Sequence, residues 1–187
     1  KQSYKKWELI VIDDGSEDNT REIIKLYESH EKITFIKTSG IGLPSVSNLA
    51  IGKSNGKYVI RLDGDDIFDE NILLVLVYYL ENNENVALVF PDYYLIDIYG
   101  EIISIKKREK FFEDNHMLDI PPHGACTMIR RAVFDEIGGY REDLGAQDGL
   151  DIWTRIRNKY EVGNVNLPLF FYRRHGKNLT TNSLTIL

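Results

Sequence analysis

"WELIVIDDGSEDNT" (Trp7 to Thr20) sets an apolar run, Leu9 to Ile12, directly against Asp13 and Asp14, then a glycine, then Glu17 and Asp18. A continuously apolar centre reads as a strand buried on both faces, so the acids stand where that strand leaves its sheet. The next stretch, "DNTREIIKLYESH", reads as a helix. Asp18 or Asn19 can cap it, Glu22 lies in its first turn, and Ile23, Ile24, Leu26 and Tyr27 mark an apolar face. The pattern then repeats. "KITFIKT" (Lys32 to Thr38) is a second strand, "SGIGLP" a loop, and "SVSNLAIGKSNG" a short helix ending near Gly52 or Gly56. "KYVIRLD" (Lys57 to Asp63) is a third strand, again followed by acids, and "DENILLVLVYYLENN" is a helix with Asp69 near its positive end.

Strands alternating with helices predict an α/β fold with a Rossmann-like, mostly parallel sheet flanked by helices. Parallel strands end on one edge, where open α/β sheets bind ligands. Asp13-Asp14 and Asp63-Gly64-Asp65-Asp66 are therefore expected at one rim, although they lie far apart in sequence. Further along, "VALVFPDYYLID" and "EIISIKK" read as strands, and "RRAVFDEIGG" and "GLDIWTRIRNKY" as helices. The irregular stretch Arg108 to Cys126, rich in aromatics, prolines and histidines, reads equally as a substrate-facing loop or a plain surface crossover.

The chain has 187 residues, 43% hydrophobic and 28% charged, a globular balance with room for a sizeable core. A net charge of -6 argues against a nucleic-acid binder, which would show a basic face. It leaves phosphate ligands open, because a divalent ion reverses the local sign. Cys126 is the single cysteine, so one chain has neither a disulfide framework nor a cysteine zinc site. "ILLVLVYYL" (Ile72 to Leu80) is too short to cross a bilayer, and "KQSYKKW" has no apolar signal segment. The expectation is a soluble, cytoplasmic protein, with attachment to the inner face of a membrane left open.

Asp63 and Asp65 flank a glycine, so two carboxylates can converge on one hard ion. Mg²⁺ or Mn²⁺ takes oxygen ligands and commonly accepts one or two carboxylates, with phosphates completing the sphere. Neither acidic segment meets the glycine and glutamate positions of an EF-hand, and no phosphate-binding loop of the type G-x-x-x-x-G-K-[ST] is present. A solvated acidic turn is the competing reading.

Four motifs then carry a resemblance. They are "Q-x-Y-x-x-W-E-L-I-V-I-D-D-G-S-x-D-x-T" (Gln2 to Thr20), "G-K-Y-V-x-x-L-D-x-D-D" (Gly56 to Asp66), "I-R-R-x-V-F-x-E-I-G-G-Y-x-E-D" (Ile129 to Asp143) and "Y-R-R-H-G-x-N-L-T" (Tyr172 to Thr180). In this order they resemble the inverting family-2 glycosyltransferases of the GT-A fold. The resemblance implies one domain over residues 1–187, with a nucleotide-binding half (1–91) and an acceptor-side half (92–187). It implies a nucleoside diphosphate-sugar donor, a glycan or other hydroxyl acceptor, and Mn²⁺ or Mg²⁺. The setting it implies is bacterial-type polysaccharide or glycan assembly, with peripheral membrane association and homo-oligomer formation left open.

By resemblance, Asp14 and Asp13 would bind the nucleotide base. A uracil imide N–H suits a buried carboxylate, which favours a UDP-sugar. Asp65, assisted by Asp63, would hold the metal at the diphosphate, while Asp66 would bond nearby backbone N–H groups. Inversion needs a general base, and Asp148 in "AQDGLDIWTRI" is the first choice, with Asp151 as its rival; either aspartate could instead cap the following helix. His175 would reach the metal or diphosphate, and Arg173, Arg174 or Lys177 could meet phosphate. His123 could face the acceptor, while His30 and His116 read as surface residues. Phe111, Phe112, Tyr93 and Tyr94 could stack on sugars but read more simply as core.

The sequence departs from the family in three places. The usual opening strand and helix are missing before Lys1, Ser47 stands where an arginine is common, and the chain stops soon after the histidine motif. The missing opening leads to the expectation of an N-terminally truncated or proteolysed chain, with interior strands lacking a partner. A nucleotidyltransferase and an inert nucleotide-sugar-binding scaffold are the competing functional classes.

Overall fold

"VALVFPDYYLI" becomes β5 (Val86–Ile96), buried along nearly its whole length, as an apolar run covered on both faces must be. In the computed structural model, which describes residues 1–107, 124–144 and 148–176, this strand is the spine of a six-stranded sheet. One of its edges carries β8 (Glu161–Arg173) in parallel, from Val86↔Glu161 to Ile96↔Arg173. The other edge is shared by β7 (Met128–Arg130) and β6 (Ile102–Lys106), both antiparallel to it. Beyond β7 lies β3 (Tyr58–Ile60), and beyond β8 lies β4 (Ile67–Phe68), again antiparallel. A separate two-stranded sheet pairs β1 (Leu9–Asp13) with β2 (Ile33–Lys37) in parallel.

The α/β class holds, but the pairing is mixed rather than mostly parallel. Parallel pairing joins β1 to β2 and β5 to β8, while the other pairings between these strands are antiparallel; an isolated bridge from Arg61 to Ala125 is parallel. The connection from β5 to β6 shows why. It is a tight turn in which Asp97 accepts the N–H groups of Tyr99 and Glu101, and a turn that short can only return the chain antiparallel.

Helices cover both faces. On one, α3 (Ile72–Glu81) buries Ile72, Leu76 and Leu80 against Val89, Tyr93, Met128 and Phe170. On the other, α4 (Arg131–Glu136) and α5 (Asp148–Arg157) bury Val133, Phe134, Ile152, Trp153 and Ile156 against Ala87, Leu88, Phe90 and Ile129. Along β5, Leu88 and Phe90 thus feed one cluster and Val89 between them the other, as the period of a strand requires.

The N-terminal part is covered less well. β1 was expected to be buried on both faces, yet among its residues only Asp13 is buried. Helix α1 (Thr20–Lys25) buries nothing, and Ile23, Leu26 and Tyr27 are exposed, so its apolar pattern finds no cover among the described residues. The starts of β1 and β3 are nonetheless joined. Glu8 Oε1 accepts the Asn55 N–H at 2.5 Å, although the two strands share no pairing. Helix α2 (Leu43–Lys53) then connects this part to the far half: Asn48 accepts the Tyr140 N–H at 2.9 Å and donates to the Tyr140 carbonyl at 2.9 Å.

Candidate functional site

The chain leaves β3 at Arg61, pairs once more with Ala125, and turns through the second acidic cluster into β4. Arg61 is mostly buried, and its two ends meet different acids. Nη1 donates to Asp148 Oδ2 at 2.5 Å, and Nε lies 2.9 Å from Asp63 Oδ1. The second contact is an ion pair without hydrogen-bond alignment, since Nε has no hydrogen-bond acceptor. Tyr140 lies over the guanidinium, 5.8 Å from ring centroid to Cζ. Burial works against the Arg61 charge, but Asp63, Tyr140 and Asp148 more than offset it and hold its pKa above the ordinary arginine value. Burial also pushes the Asp63 carboxyl up against the pull of Arg61, with the Asp65 and Asp148 charges adding to the rise.

Asp148 is the first residue of α5 and is only 3% exposed. A helix N-terminus favours an anion, so the carboxylate stands between that dipole and a guanidinium. Its rival, Asp151, is placed differently. Asp151 Oδ2 takes Arg155 Nε at 2.8 Å, and the same guanidinium donates to the carbonyls of Ile137 and Gly139 at 2.7 Å each. Asp151 therefore orients an arginine that closes the turn after α4.

Asp65 meets a different partner from Asp63. Its Oδ2 lies 2.8 Å from His175 Nε2, and both side chains are partly exposed, at 39% and 31%. Register places them together: Ile67↔Phe171 pairing brings the end of β8 beside the acidic turn. Asp66 accepts the Arg173 N–H at 2.8 Å, matching the structural part expected of it, and burial pushes its carboxyl up to about 7. The Arg173 guanidinium serves carbonyls, at 2.9 Å from Asp65, 3.1 Å from Asp97 and 3.2 Å from Ile98. Arg174 is the exposed cation of this segment. Among the described residues no three His, Cys, Asp or Glu side chains gather around one point; Asp63 meets Arg61, and Asp65 meets His175. The metal-like pair here is one carboxylate and one imidazole.

The first acidic cluster is occupied with its own loop. Asp14 Oδ1 accepts Thr38 Oγ1 at 2.6 Å and the N–H groups of Gly40 and Ile41 at 3.0 and 2.8 Å, and Oδ2 accepts Gly42 N–H at 2.9 Å. The loop can wrap the carboxylate because Gly40 and Gly42 take φ of 80° and 89°, where a β-carbon is disfavoured. The Thr38 hydroxyl, followed by the loop N–H groups, holds the Asp14 carboxyl below its usual value despite some desolvation. Asp13 is buried and accepts the Ser16 N–H at 2.8 Å, which lowers its pKa.

Tyr93 is a core residue packed near Phe170, and Tyr94 stacks on Phe171 at 4.9 Å. His30 is exposed and stacks on Trp7 at 5.8 Å. Ser47 is buried and donates to the Leu43 carbonyl at 2.7 Å. His116, His123, Phe111, Phe112 and Lys177 lie outside the described residues. The sequence reading missed Arg61, Tyr140 and Asn48. The available signal was weak: an arginine immediately before an acidic cluster, and an aromatic immediately after paired glycines.

The sequence profile described as "Glycosyl transferase family 2" matches residues 1–138. An uncharacterized glycosyltransferase of Methanocaldococcus jannaschii is 31% identical over 176 residues, covering 88% of this chain and 59% of that protein. Among solved structures, S. aureus TarS 1-349 in complex with UDP-GlcNAc superposes with a TM-score of 0.74 at 17% identity, over 96% of this chain and 54% of that one. The mannosyltransferase PcManGT from Pyrobaculum calidifontis, in complex with GDP-Man and Mn²⁺, gives a TM-score of 0.71 at 17% identity, over 95% and 51%. The chain thus spans little more than half the length of each of these three proteins. These likenesses show the GT-A type of α/β fold that the motifs implied.

Proposed function

The chain belongs to glycosyl transferase family 2, and from that membership we propose that it transfers a sugar, with inversion and with a divalent ion, from a nucleoside diphosphate-sugar to an acceptor hydroxyl. The supporting observation is that residues from three distant segments meet at one turn: Asp148 and Asp63 both contact Arg61, and Asp65 contacts His175. Bound UDP-GlcNAc in one structural neighbour and GDP-Man with Mn²⁺ in another support a nucleotide-sugar donor.

In this reading Asp148 is the general base. Its carboxylate accepts the proton of the acceptor hydroxyl as that oxygen attacks the anomeric carbon from the face opposite the leaving nucleotide. Burial and the Arg61 contact fix its orientation before substrate arrives. Asp65 and His175 fit Mn²⁺ or Mg²⁺ as two adjacent protein donors of oxygen and nitrogen type, leaving positions for diphosphate oxygens. When bound, the ion supplies charge stabilisation to the departing diphosphate. Asp63 is assigned to the nucleotide side of the same turn. Asp13 and Asp14 are assigned to the nucleotide base, Asp14 chiefly by shaping the 40–42 loop, because its oxygens already hold four hydrogen bonds.

The test is release of UDP from UDP-GlcNAc, and of GDP from GDP-mannose, in the presence of Mn²⁺. Release that disappears in Asp65→Ala supports the assignment. Release that is unaffected by both Asp65→Ala and Asp148→Asn contradicts it.

A further inference from the structure

The contact that joins the two sides of the site is a single buried guanidinium. Arg61 reaches Asp148, the proposed base, through Nη1 at 2.5 Å, and Asp63, in the metal-side turn, through Nε at 2.9 Å. Three neighbours hold it. Tyr140 covers one face, and Asn48 fixes Tyr140 by bonding both of its backbone groups. Gly124 leaves the space the guanidinium needs, since a β-carbon there would come within 3.0 Å of Nη2. This is much machinery for one ion pair, and buried ion pairs return little stability once desolvation is counted. A planar fork that cannot deprotonate does, however, fix the relative placement of two carboxylates, which a flexible ammonium cannot do.

We propose that Arg61 is a positioning residue that sets the separation and orientation of the Asp148 and Asp63 carboxylates, and so aligns the proton-accepting group with the donor-binding turn. The proposal rests on the transferase reading given above. Arg61 touches neither the acceptor nor the transferred sugar in this account; it acts through Asp148.

The test compares Arg61→Gln, Arg61→Lys, Asp148→Asn and the double variant Arg61→Gln/Asp148→Asn. Nucleotide release from UDP-GlcNAc with Mn²⁺ is followed together with calorimetric UDP binding. A misplaced base costs about 100-fold in rate. Arg61→Gln is therefore expected to lose about that factor in kcat with the UDP dissociation constant nearly unchanged, and Arg61→Lys to recover part of it. In the Asp148→Asn background the Arg61→Gln change is expected to add almost nothing, because the two act as one unit. Losses that multiply, or an Arg61→Gln variant as fast as the wild type, would overturn the proposal. If Arg61→Gln does not fold, Arg61→Lys, which retains the charge, carries the same cycle.

Crystal structures of the wild type and of Arg61→Lys read the placement without needing turnover. A shift of about 1 Å or more between the two carboxylates is expected, and unmoved carboxylates would overturn the proposal. A wild type that releases no nucleotide would sink the transferase reading, while this comparison would still decide the positioning.

Discussion

Four hydrogen bonds end on the carboxylate of Asp14, and they define when that residue stabilises the fold. Because the folded state lowers its pKa from the ordinary 3.8, its contribution is present above that value and is lost as pH falls through the lower, folded one. Thermal midpoints measured against pH should therefore drop on the acid side, and Asp14→Ala should flatten part of that drop while lowering the midpoint at neutral pH. The two candidate bases should separate as cleanly. Asp148→Asn is expected to lose about 10²- to 10⁴-fold in turnover with UDP binding retained, whereas Asp151→Asn should chiefly loosen the Arg155 contacts to Ile137 and Gly139. Kinetics and denaturation of the two variants check this, and equal turnover losses would count against the assignment. The acids themselves were legible because they directly follow apolar runs. Their partners were not: an arginine beside aspartates reads as a solvated charge, and its burial depends on Gly124 and Tyr140, far away in sequence.

Elements with one clean period were readable, and elements that interrupt their own pattern were not. Helix α3 and strand β5 show a 3.6-residue stripe and an apolar run, and both lie where the sequence expects them. Strand β8 escaped notice because "EVGNVNLPLFFYR" mixes Gly163, two asparagines and Pro168 into its apolar positions. Gly163 has a specific reason to be there: a β-carbon would lie 2.5 Å from the Tyr79 ring, so any other residue would require that ring of α3 to shift. Gly163→Ala is therefore expected to destabilise the fold by about 1–3 kcal/mol in chemical denaturation, and Tyr79→Ala in the same chain should recover part of the loss from the clash. A variant as stable as the wild type would contradict the close approach. Gly139 is constrained twice, by φ of 74° and by Asn48 Oδ1 at 2.8 Å from a β-carbon, which explains why paired glycines precede Tyr140.

The molecule brings its two acidic clusters to different sheets, the first at the end of β1 and the second after β3. Joined starts of those strands and the clamp of α2 on Tyr140 tie the two parts together. Chain order revealed the α/β class, yet it did not reveal the mixed pairing, because strand direction depends on turns and long-range register rather than on local pattern. Stability resides in the six-stranded part, where Phe170 is fully buried between α3 and β5, so Phe170→Ala should cost about 3–5 kcal/mol. That loss, read by denaturation, should far exceed the effect of Leu26→Ala on the exposed face beyond α1. Metal-dependent transfer at this site requires that the turn carrying Asp65, joined to His175, respond to a divalent ion and a nucleotide together. Calorimetric titration of UDP with and without Mn²⁺, on the wild type and on Asp65→Ala, measures this. Binding is expected to strengthen with Mn²⁺ in the wild type and to ignore it in the variant; equal UDP affinity with and without the ion in the wild type, or an undiminished Mn²⁺ response in Asp65→Ala, would contradict the role proposed for Asp65.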